Sequence, residues 1–397
     1  MNDRFAASNR RQLRMKPGKD RVIANRHPWI FAGAIARESG PTDAAVADLV
    51  DERGAHVASG LYSQHSQIRL RALTFGAEEL TADTIRARIT AAMERRGPIL
   101  REGTDAARIV NADGDDLSGL IVDRYGEVVV VEIANSGLDQ LKDIVLGALR
   151  EELRPRGIFI KNDLPVRALE RLPAESLWEG EGEPATVISE NGLRFSVDPR
   201  EGQKTGFFLD QRENRALARE LARGRRVLNL FSYSGAFGVY AAAGGAAAVE
   251  NVDISAPAIE LARTNHELNG VTASFTVADA FGFLRAQGAA GARAGLLVCD
   301  PPAFARSRGE VDRAARGYKD INLHALRLVE KGGMLMTFSC SGHMSADLFQ
   351  KVIFAAALDA GRRVSFVRRL TAAADHPVSI YCPEGEYLKG FLLEVHD

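Results

Sequence analysis

Cysteine is scarce in this sequence, and long apolar runs are absent. The 397 residues include three cysteines, Cys299, Cys340 and Cys382. An odd number of cysteines, without the spacing of a disulfide framework, predicts a protein of the reducing cytoplasmic compartment. The longest weakly polar stretch, residues 236–249, is short and rich in Ala and Gly, whereas a membrane span needs about 18 or more strongly apolar residues. No apolar run follows the scattered N-terminal arginines, so we expect neither a membrane span nor a secretory signal.

Net charge is also nearly absent, but the charges are unevenly distributed. The formal net charge is −1, and 46% hydrophobic with 26% charged residues is typical of a soluble globular protein. Residues 1–40 contain nine Lys or Arg and three acids, a local balance of +6 (9 − 3). Such a cluster can neutralise phosphate groups, although a solvated terminus is the better interpretation from charge alone.

Length favours two or three domains, and three regions differ in pattern. Residues 1–75 combine short strands with turn signals, which predicts a small β barrel. Residues 76–184 predict a small α+β domain, and their last stretch, 179–184, indicates a linker. The predicted elements of this region are a helix over 81–93, two strands around 124–127, a helix over 138–153 and a strand over 157–161.

The third region, residues 185–397, alternates predicted strands with helices. It opens with Asn191-Gly192, a strong hairpin signal. The predicted strands are 226–231, 248–252, 296–299 and 334–338, and the helical segments between them include 257–268 and 321–329. This alternation predicts a Rossmann-like, mostly parallel sheet with helices on both faces.

Residues that follow these strands are candidates for a cofactor site, because ligands bind beyond the carboxyl ends of parallel strands. Ser232, Ser234 and Gly235 are small and lie where a helix is predicted to begin, but the first glycine of the dinucleotide fingerprint is missing. Asp253 lies 18 residues after Gly235 (253 − 235), where an acid either accepts hydrogen bonds from ribose hydroxyls or caps the next helix. Asp279 ends the next predicted strand, where it could meet an adenine amine. Together these features predict a nucleoside cofactor.

The next two strand ends carry the candidate reaction chemistry. Asp300 is followed by Pro301 and Pro302, which stop the strand and hold the chain rigidly. Methyltransferases that act on amino groups place an aromatic residue directly after such prolines, whereas here Ala303 precedes Phe304. That departure argues against methylation of an amine.

Cys340 follows the strand predicted at 334–338, among Ser and Gly, and is a candidate nucleophile. Methylation of cytosine C5 requires a nucleophile, because that carbon is not reactive enough alone. A lone cysteine is usually a small buried hydrophobe, an interpretation that fits Cys299 within its apolar strand better. Asp300 could bond or protonate the ring N3.

Between these strands lies a predicted basic loop, residues 306–319, with five cations and two acids. It is equally consistent with an RNA-backbone contact and with a solvated loop. The acids at 113–116 resemble a calcium loop only superficially, because Ser118 and Arg124 stand where a Gly and a Glu are expected. We therefore predict no metal.

The assembled motifs resemble those of the bacterial 23S rRNA cytosine-5 methyltransferases, over nearly the whole chain. These enzymes join an N-terminal PUA-type RNA-binding domain to a class I S-adenosylmethionine-dependent methyltransferase domain. The matching motifs are Lys16-Pro17-Gly18, His27-Pro28-Trp29-Ile30-Phe31, Gly202-Gln203-Lys204-Thr205-Gly206, Leu209-Asp210-Gln211-Arg212, Asn229-Leu230-Phe231-Ser232-Tyr233, Asp300-Pro301-Pro302, Arg316-Gly317-Tyr318-Lys319-Asp320-Ile321-Asn322 and Phe338-Ser339-Cys340-Ser341-Gly342.

The resemblance implies a PUA-type domain over 1–75, a central α+β domain over 76–184 and a class I methyltransferase domain over 185–397. It implies S-adenosylmethionine as cofactor, ribosomal RNA as partner, and Cys340 and Asp300 as catalytic residues. The expected cofactor contacts are Arg212, Phe231, Ser232, Tyr233, Ser234, Gly235, Asp253, Ile254, Asp279, Ala280 and Asp300. The expected substrate contacts are Pro301, Pro302, Phe304, Arg316, Lys319, Lys16 and Arg26.

One departure and several alternatives stay open. The wider family of RNA cytosine-5 methyltransferases has a second cysteine after the Asp-x-Pro motif, where Ala303 and Phe304 stand here. The alternatives are methylation of another rRNA position, such as guanine N7, and a catalytically silent RNA-binding assembly factor. Neither requires Cys340. The incomplete glycine fingerprint disfavours a nicotinamide dehydrogenase, and the sequence leaves the oligomeric state open.

Overall fold

The computed structural model describes residues 3–101, 103–305 and 307–397. The chain divides into two compact units. The first comprises residues 1–188, 197–207 and 375–385, and the second comprises 189–196, 208–374 and 386–397. The boundaries near residues 75 and 184 stay a prediction.

The first unit begins with a sheet of short strands in the order β2-β6-β5-β4-β1-β3. The elements are β1 Arg11–Met15, α1 Arg21–Ala24, β2 Trp29–Phe31, β3 Ile35–Ser39, β4 Val46–Val50, β5 His56–Tyr62 and β6 Ile68–Phe75. Strands β1 and β4 are parallel, and the other pairs are antiparallel. Alternate residues such as Leu13 and Met15 are buried in an apolar core, which is the period-2 pattern of a half-buried strand.

A second sheet of this unit has the order β11-β10-β9-β8-β7. Its elements are α2 Ala82–Arg96, β7 Ala106–Asn111, β8 Leu120–Tyr125, β9 Val128–Ile133, α3 Ser136–Asp139, α4 Lys142–Leu153, β10 Gly157–Asn162, α5 Val166–Leu169 and β11 Glu175–Gly180. The helix α2 begins after Thr81, whose hydroxyl accepts a hydrogen bond from the Thr84 N–H. The helices α2 and α4 contribute to the core beside fully buried β9 and β10.

Two sequence predictions for this region need correction. The helix predicted over 138–153 is interrupted at Gln140 and Leu141, which separate α3 from α4. The predicted linker 179–184 begins within β11, where Glu179 pairs with Ile158 of β10.

The hairpin prediction is confirmed, since β12 Thr186–Glu190 and β13 Leu193–Val197 flank Asn191-Gly192. Both turn residues have positive φ, 52° and 79°, as a type I′ turn requires.

The second unit contains a mixed sheet in the order β16-β15-β14-β17-β18-β20-β19. Its elements are α6 Arg212–Leu221, β14 Arg226–Leu230, α7 Ala236–Ala243, β15 Ala248–Asp253, α8 Ala256–Leu268, β16 Ser274–Val277, α9 Ala280–Ala289, β17 Ala294–Cys299, α10 Val311–Leu328, β18 Val329–Ser339, α11 Ala346–Ala360, β19 Val364–Leu370 and β20 Lys389–Val395. Strands β14 to β18 are parallel, and β20 runs antiparallel to both of its neighbours. This is the predicted Rossmann-like sheet.

Apolar packing covers both faces of this sheet. The helices α9, α10 and α11 contribute to one core, and α6 and α7 contribute to the other. Every residue of β17 is buried, which explains its uninterrupted apolar sequence. Within the described ranges, no helix has the length and apolar character needed to cross a bilayer.

The predicted basic loop is mostly helical. The helix expected over 321–329 begins ten residues earlier, at Val311 (321 − 311). Its buried stripe includes Ala314, Tyr318 and Ile321, spaced for one face of a helix. The cations between these positions obscured the stripe in the sequence. Arg306 lies outside the described residues.

Candidate active site

The carboxyl ends of β15, β14, β17 and β18 lie at one edge of the sheet, because these strands are parallel neighbours. The segment after β14 has an unusual backbone. Phe231, Tyr233 and Gly235 have positive φ angles of 54°, 45° and 69°. Such conformations cost free energy in non-glycine residues and concentrate at functional sites. At Gly235, a Cβ would lie 2.6 Å from the Cβ of Ala262, so the turn into α7 requires glycine.

Asp253 ends β15, and its carboxylate organises the same edge. It accepts hydrogen bonds from the N–H groups of Tyr233 and Ser255, both at 2.9 Å. Ser255 rather than Asp253 caps α8, because its hydroxyl accepts the N–H of Ala258 at 3.3 Å. The helix-cap interpretation of Asp253 is therefore wrong. Each carboxylate oxygen can accept a further hydrogen bond, and Asp253 is half-exposed.

A buried hydroxyl and two exposed apolar side chains complete this part of the edge. The Ser232 hydroxyl is buried and has no hydrogen-bond partner among the described residues, a costly state unless a ligand satisfies it. Ile254 is 72% exposed and Val277 is 55% exposed, and Val277 pairs with Asp253 in the sheet. A polar group for ribose beside apolar surface for a base fits a nucleoside cofactor. Val277 was not among the sequence candidates.

Other predicted cofactor contacts have local roles in the structure. The strand β16 ends at Val277, two residues before Asp279 (279 − 277), so Asp279 does not end the strand as expected. Its carboxylate instead accepts the N–H of Gly282 at 2.8 Å and caps α9, where Ala280 is buried. Arg212 is buried, with Nε 3.5 Å from the Glu190 carboxylate. Ser234 is buried, and its carbonyl oxygen accepts from the Asn265 side chain.

Asp300 follows β17, at the next position along the edge. Its Oδ2 accepts a hydrogen bond from Nε2 of Gln211 at 2.9 Å. Oε1 of Gln211 accepts in turn from Nδ2 of Asn214 at 2.6 Å, which fixes the orientation of the Gln211 amide. Gln211 lies in the motif Leu209-Asp210-Gln211-Arg212, of which only Arg212 was predicted to belong to the site.

Cys340 directly follows β18 and is half-buried. Its thiol donates a hydrogen bond to the carbonyl oxygen of Pro301 at 3.8 Å, so the residues after β17 and β18 meet. Cys299, by contrast, is fully buried within β17, as its position in an apolar strand indicates. Burial raises the pKa of the Cys299 thiol, which disfavours a reactive thiolate.

Aromatic rings and a serine lie beside this centre. The rings of Phe304 and Tyr318 have centroids 4.6 Å apart. The Tyr318 hydroxyl and the Ser341 hydroxyl are 3.0 Å apart, and Ser341 Oγ also accepts the Ala305 N–H at 3.2 Å. Pro302 is exposed, whereas Pro301 is buried. The segment after β17 is thus anchored to the residue that follows Cys340.

The residues predicted to contact RNA differ in their exposure and in their present partners. Arg316 is exposed on α10, whereas Lys319 forms an ion pair with Asp359 at 2.6 Å. In the first unit, Lys16 is exposed and donates to the Gly33 carbonyl oxygen at 3.0 Å. Arg26, also exposed, lies 5.6 Å from the ring centroid of Phe75. Their contact with RNA stays a prediction.

His27, Cys382 and Glu384 of the first unit bring three potential metal ligands within 4.8 Å of one another. Nδ1 of His27 accepts the N–H of Trp29 at 3.1 Å, which assigns the proton of the neutral ring to Nε2. Nε2 lies 3.4 Å from Glu384. This is the geometry of a hydrogen-bonded pair rather than of a histidine whose Nε2 binds a metal.

Comparisons with known proteins agree with this architecture. Residues 167–382 match a family model for S-adenosylmethionine-dependent methyltransferases, and residues 13–75 match one for a PUA-like domain. Ribosomal RNA large subunit methyltransferase I of Shewanella denitrificans is 42% identical over 394 residues, which cover 97% of this chain and 99% of that protein. The protein of the same name from Tolumonas auensis is 43% identical over 388 residues, with 96% and 98% covered.

A solved structure of a candidate methyltransferase complexed with SAH has the same fold, with a TM-score of 0.84 at 23% identity. The match covers 97% of this chain and 100% of that one. By the matched family model and the relatives of near-identical length, this chain belongs to the S-adenosylmethionine-dependent methyltransferases, in the family of ribosomal RNA large subunit methyltransferase I.

Proposed function

We propose that the protein methylates C5 of a cytidine in 23S ribosomal RNA through a covalent bond between Cys340 and C6 of the base. The observation that carries this proposal is the half-buried thiol at the carboxyl edge of the sheet, against the carbonyl of Pro301. The names of the relatives support ribosomal RNA of the large subunit as substrate. Guanine N7 chemistry would leave Cys340 without a role.

The chemistry explains why a thiolate is needed at this place. When bound, S-adenosylmethionine supplies an electrophilic methyl group on its sulfonium sulfur. The Cys340 thiolate adds its electron pair to C6, which forms the S–C6 bond and moves the C5–C6 π pair onto C5. C5 would then take the methyl group that the bound cofactor offers, and the electron pair of the methyl–sulfur bond would remain on the cofactor's sulfur. Transfer of the C5 proton to a base and cleavage of the S–C6 bond restore the ring and the thiolate.

Asp300 is the proposed partner of the cytosine ring. A carboxyl group that hydrogen-bonds N3, or protonates it, stabilises the charge that develops during thiolate addition. The amide of Gln211, itself oriented by Asn214, holds the Asp300 carboxylate in one position. Pro301, Pro302 and Phe304 would form the surface against which the base lies.

The cofactor contacts are proposed for the edge formed after β14 and β15. Asp253 would accept hydrogen bonds from the ribose hydroxyls, and Ser232 would gain the partner that its buried hydroxyl lacks among the described residues. Ile254 would offer apolar surface to adenine, with Asp279 and Ala280 nearer its amine. The proposed set further includes Phe231, Tyr233, Ser234, Gly235, Arg212 and Asp300.

RNA binding is proposed for two groups of cations, Lys16 and Arg26 in the PUA-type region and Arg316 and Lys319 on α10. Three of the four are exposed, which suits contacts with phosphate oxygens. Lys319 would have to exchange its partner Asp359 for phosphate. We retain the domain division 1–75, 76–184 and 185–397 as part of this proposal.

RNA that carries 5-fluorocytidine at the target position tests the covalent step. Fluorine cannot leave C5 as a proton does, so the wild-type protein should form a stable adduct with RNA in the presence of cofactor. Peptide mass spectrometry should locate that adduct on Cys340. Mapping of 5-methylcytidine in rRNA from cells with and without the protein should identify the natural target.

Matched cysteine variants complete the test. Cys340→Ala should abolish methyl transfer with cofactor and RNA binding nearly intact, because the thiol acts only in the covalent step. Cys299→Ala should retain activity and lose at most modest stability, since it removes a small buried side chain. Methylation that persists in Cys340→Ala would refute the covalent mechanism and favour another rRNA position.

A further inference from the structure

Lys389 begins β20 and is buried beside the strand that carries Cys340. In the antiparallel pairing of β18 with β20, Lys389 lies opposite Ser339, the residue before Cys340. Its ammonium group donates to the carbonyl oxygen of Ser341, the residue after Cys340, at 2.9 Å. The second acceptor is the carbonyl oxygen of Tyr387, at 2.8 Å. The Lys389 side chain therefore binds the backbone next to the proposed nucleophile, Cys340.

The burial of this lysine requires a physical explanation. Only 6% of Lys389 is exposed, and a buried cation is costly unless hydrogen bonds and an opposite charge compensate it. Two of its three N–H donors are directed at carbonyl oxygens. Burial lowers the pKa of Lys389, while negative charge on Cys340 and on Glu386 opposes that effect. Glu386 is exposed, whereas Cys340 is half-buried. The Cys340 thiolate is therefore the better candidate for the negative charge that compensates the buried ammonium group.

We infer that the ammonium group of Lys389 stabilises the thiolate form of Cys340 and thereby prepares the nucleophile for addition to the base. The inference rests on the proposed covalent function. Because electrostatic interactions are mutual, an anion that stabilises the ammonium is itself stabilised by it. Lys389 acts through Cys340 and is a positioning residue. Sequence reasoning missed it because a lysine at the start of an apolar strand gives no signal of its own.

Three other described residues near the thiol, Tyr318, Asp300 and His343, do not supply this charge. The Tyr318 hydroxyl lies 3.0 Å from that of Ser341, the residue after Cys340, and burial raises the pKa of the Tyr318 hydroxyl, which keeps the phenol neutral. Asp300, next to Pro301, carries a negative charge when ionised and would disfavour a thiolate. His343, three residues after Cys340, is exposed. Among these neighbours, Lys389 alone combines a cationic side chain with a hydrogen bond to the residue after Cys340.

The test compares Lys389→Met, which removes the charge at similar length, with Lys389→Arg, which keeps it. Lys351→Met, at an exposed position of α11, is the matched control. Iodoacetamide alkylation of Cys340 is followed over a range of pH by peptide mass spectrometry in the full chain. For Lys389→Met we expect the alkylation profile to move up by about one pH unit, or about tenfold slower alkylation near neutral pH. Lys389→Arg and Lys351→Met should stay close to wild type.

Methyl transfer gives a second readout that a merely structural role would not move. The acidic limb of the pH profile of kcat/KM should shift upward in Lys389→Met, so that activity recovers partly at high pH. An equal loss at every pH would overturn the inference, as would an unchanged alkylation profile. If Lys389→Met does not fold, Lys389→Gln replaces it, since its amide still donates to carbonyl oxygens.

The two proposals fail in different ways. If Cys340→Ala still methylates RNA, the covalent function is wrong, whereas the alkylation profile still tests whether Lys389 stabilises the thiolate. If the fluorocytidine adduct forms on Cys340 but alkylation is the same in Lys389→Met and wild type, only the role of Lys389 is wrong.

Discussion

Gln211 connects the start of α6 to the end of β17 through its hydrogen bond to Asp300. The amide nitrogen lies 2.9 Å from the Asp300 carboxylate, and the amide oxygen lies 2.6 Å from the side-chain nitrogen of Asn214. Asn214 determines that the nitrogen end of the Gln211 amide faces the carboxylate. One oxygen of Asp300 is therefore already hydrogen-bonded before a substrate binds. The two residues are 89 positions apart in the chain, so only the tertiary fold brings them together.

Replacing Gln211 should therefore impair catalysis more than cofactor binding. A hydrogen bond to a charged group is worth about 1.5–3 kcal/mol, so Gln211→Leu should lower kcat by roughly 10- to 100-fold if that energy is realised in the transition state. Gln211→Glu should also lower kcat, since a carboxylate at this position no longer donates the hydrogen bond that orients Asp300. Single-turnover methylation assays measure the effect, with Gln287→Leu on α9 as control. Equal rates in Gln211→Leu and wild type would show that Asp300 needs no support.

Asp253 should contribute to cofactor affinity. Asp253→Ala removes the acceptor proposed for the ribose hydroxyls and should weaken binding of S-adenosylmethionine and S-adenosylhomocysteine by about 1–3 kcal/mol. Calorimetry without RNA measures this directly. Glu260→Ala, at an exposed position of α8, removes a carboxylate from a nearby helix and should bind as wild type does. Unchanged affinity in Asp253→Ala would move the ribose contact to another residue.

The sequence predicted those parts of the fold whose pattern is local. The parallel strands were recognisable because continuous apolar runs such as β17 are bounded by turn signals, and Asn191-Gly192 marked its hairpin. The start of α10 was missed because charged residues interrupt its apolar stripe. Strand β19 was missed because most of its residues are exposed, which leaves no alternation to detect.

For the candidate site, too, the sequence predicted only the residues that a local pattern places at strand ends. Asp253 ends a strand, and Asp300 and Cys340 directly follow strands, so the alternation of strands and helices predicted that they share one edge of the sheet. Gln211 directly precedes α6, and Lys389 begins β20, which is antiparallel to its neighbours. Their hydrogen-bond partners, Asp300 and Ser341, are distant in sequence and come together only in the tertiary fold. Asp279 lies two residues beyond its strand (279 − 277) and caps α9, a local role that the strand-end rule did not predict, while its contact with the cofactor stays a prediction.

Glu132 should make the stability of the protein depend on pH. It is buried in β9, and burial raises its pKa from 4.5 to about 7. Between these values the unfolded chain has lost the proton that the folded protein retains, so the free energy of unfolding falls as pH rises. The loss across this window amounts to roughly 3 kcal/mol at most. Glu132→Gln should abolish it and should be more stable than wild type at pH 8.

Urea unfolding at pH 5 and pH 8 measures this difference. Glu127→Gln provides the control, because this exposed carboxylate in the β8–β9 turn should leave the pH dependence unchanged. A wild-type protein that is equally stable at both pH values, with Glu132→Gln showing the same behaviour, would mean that Glu132 is ionised in the folded state.

RNA affinity should fall with salt, and the slope should report the proposed phosphate contacts. Each lost contact lowers the slope of log K against log salt by roughly 0.7 to 0.9. The double variant Lys16→Gln/Arg26→Gln should therefore lower it by about 1.4 to 1.8 if both residues contact phosphates, and Arg316→Gln should lower it by about half as much. Arg263→Gln on α8 removes an exposed cation outside these groups and should preserve the slope. An unchanged slope in the double variant would mean that these two residues do not bind phosphates, and equal slopes in all variants would place the RNA elsewhere on the protein.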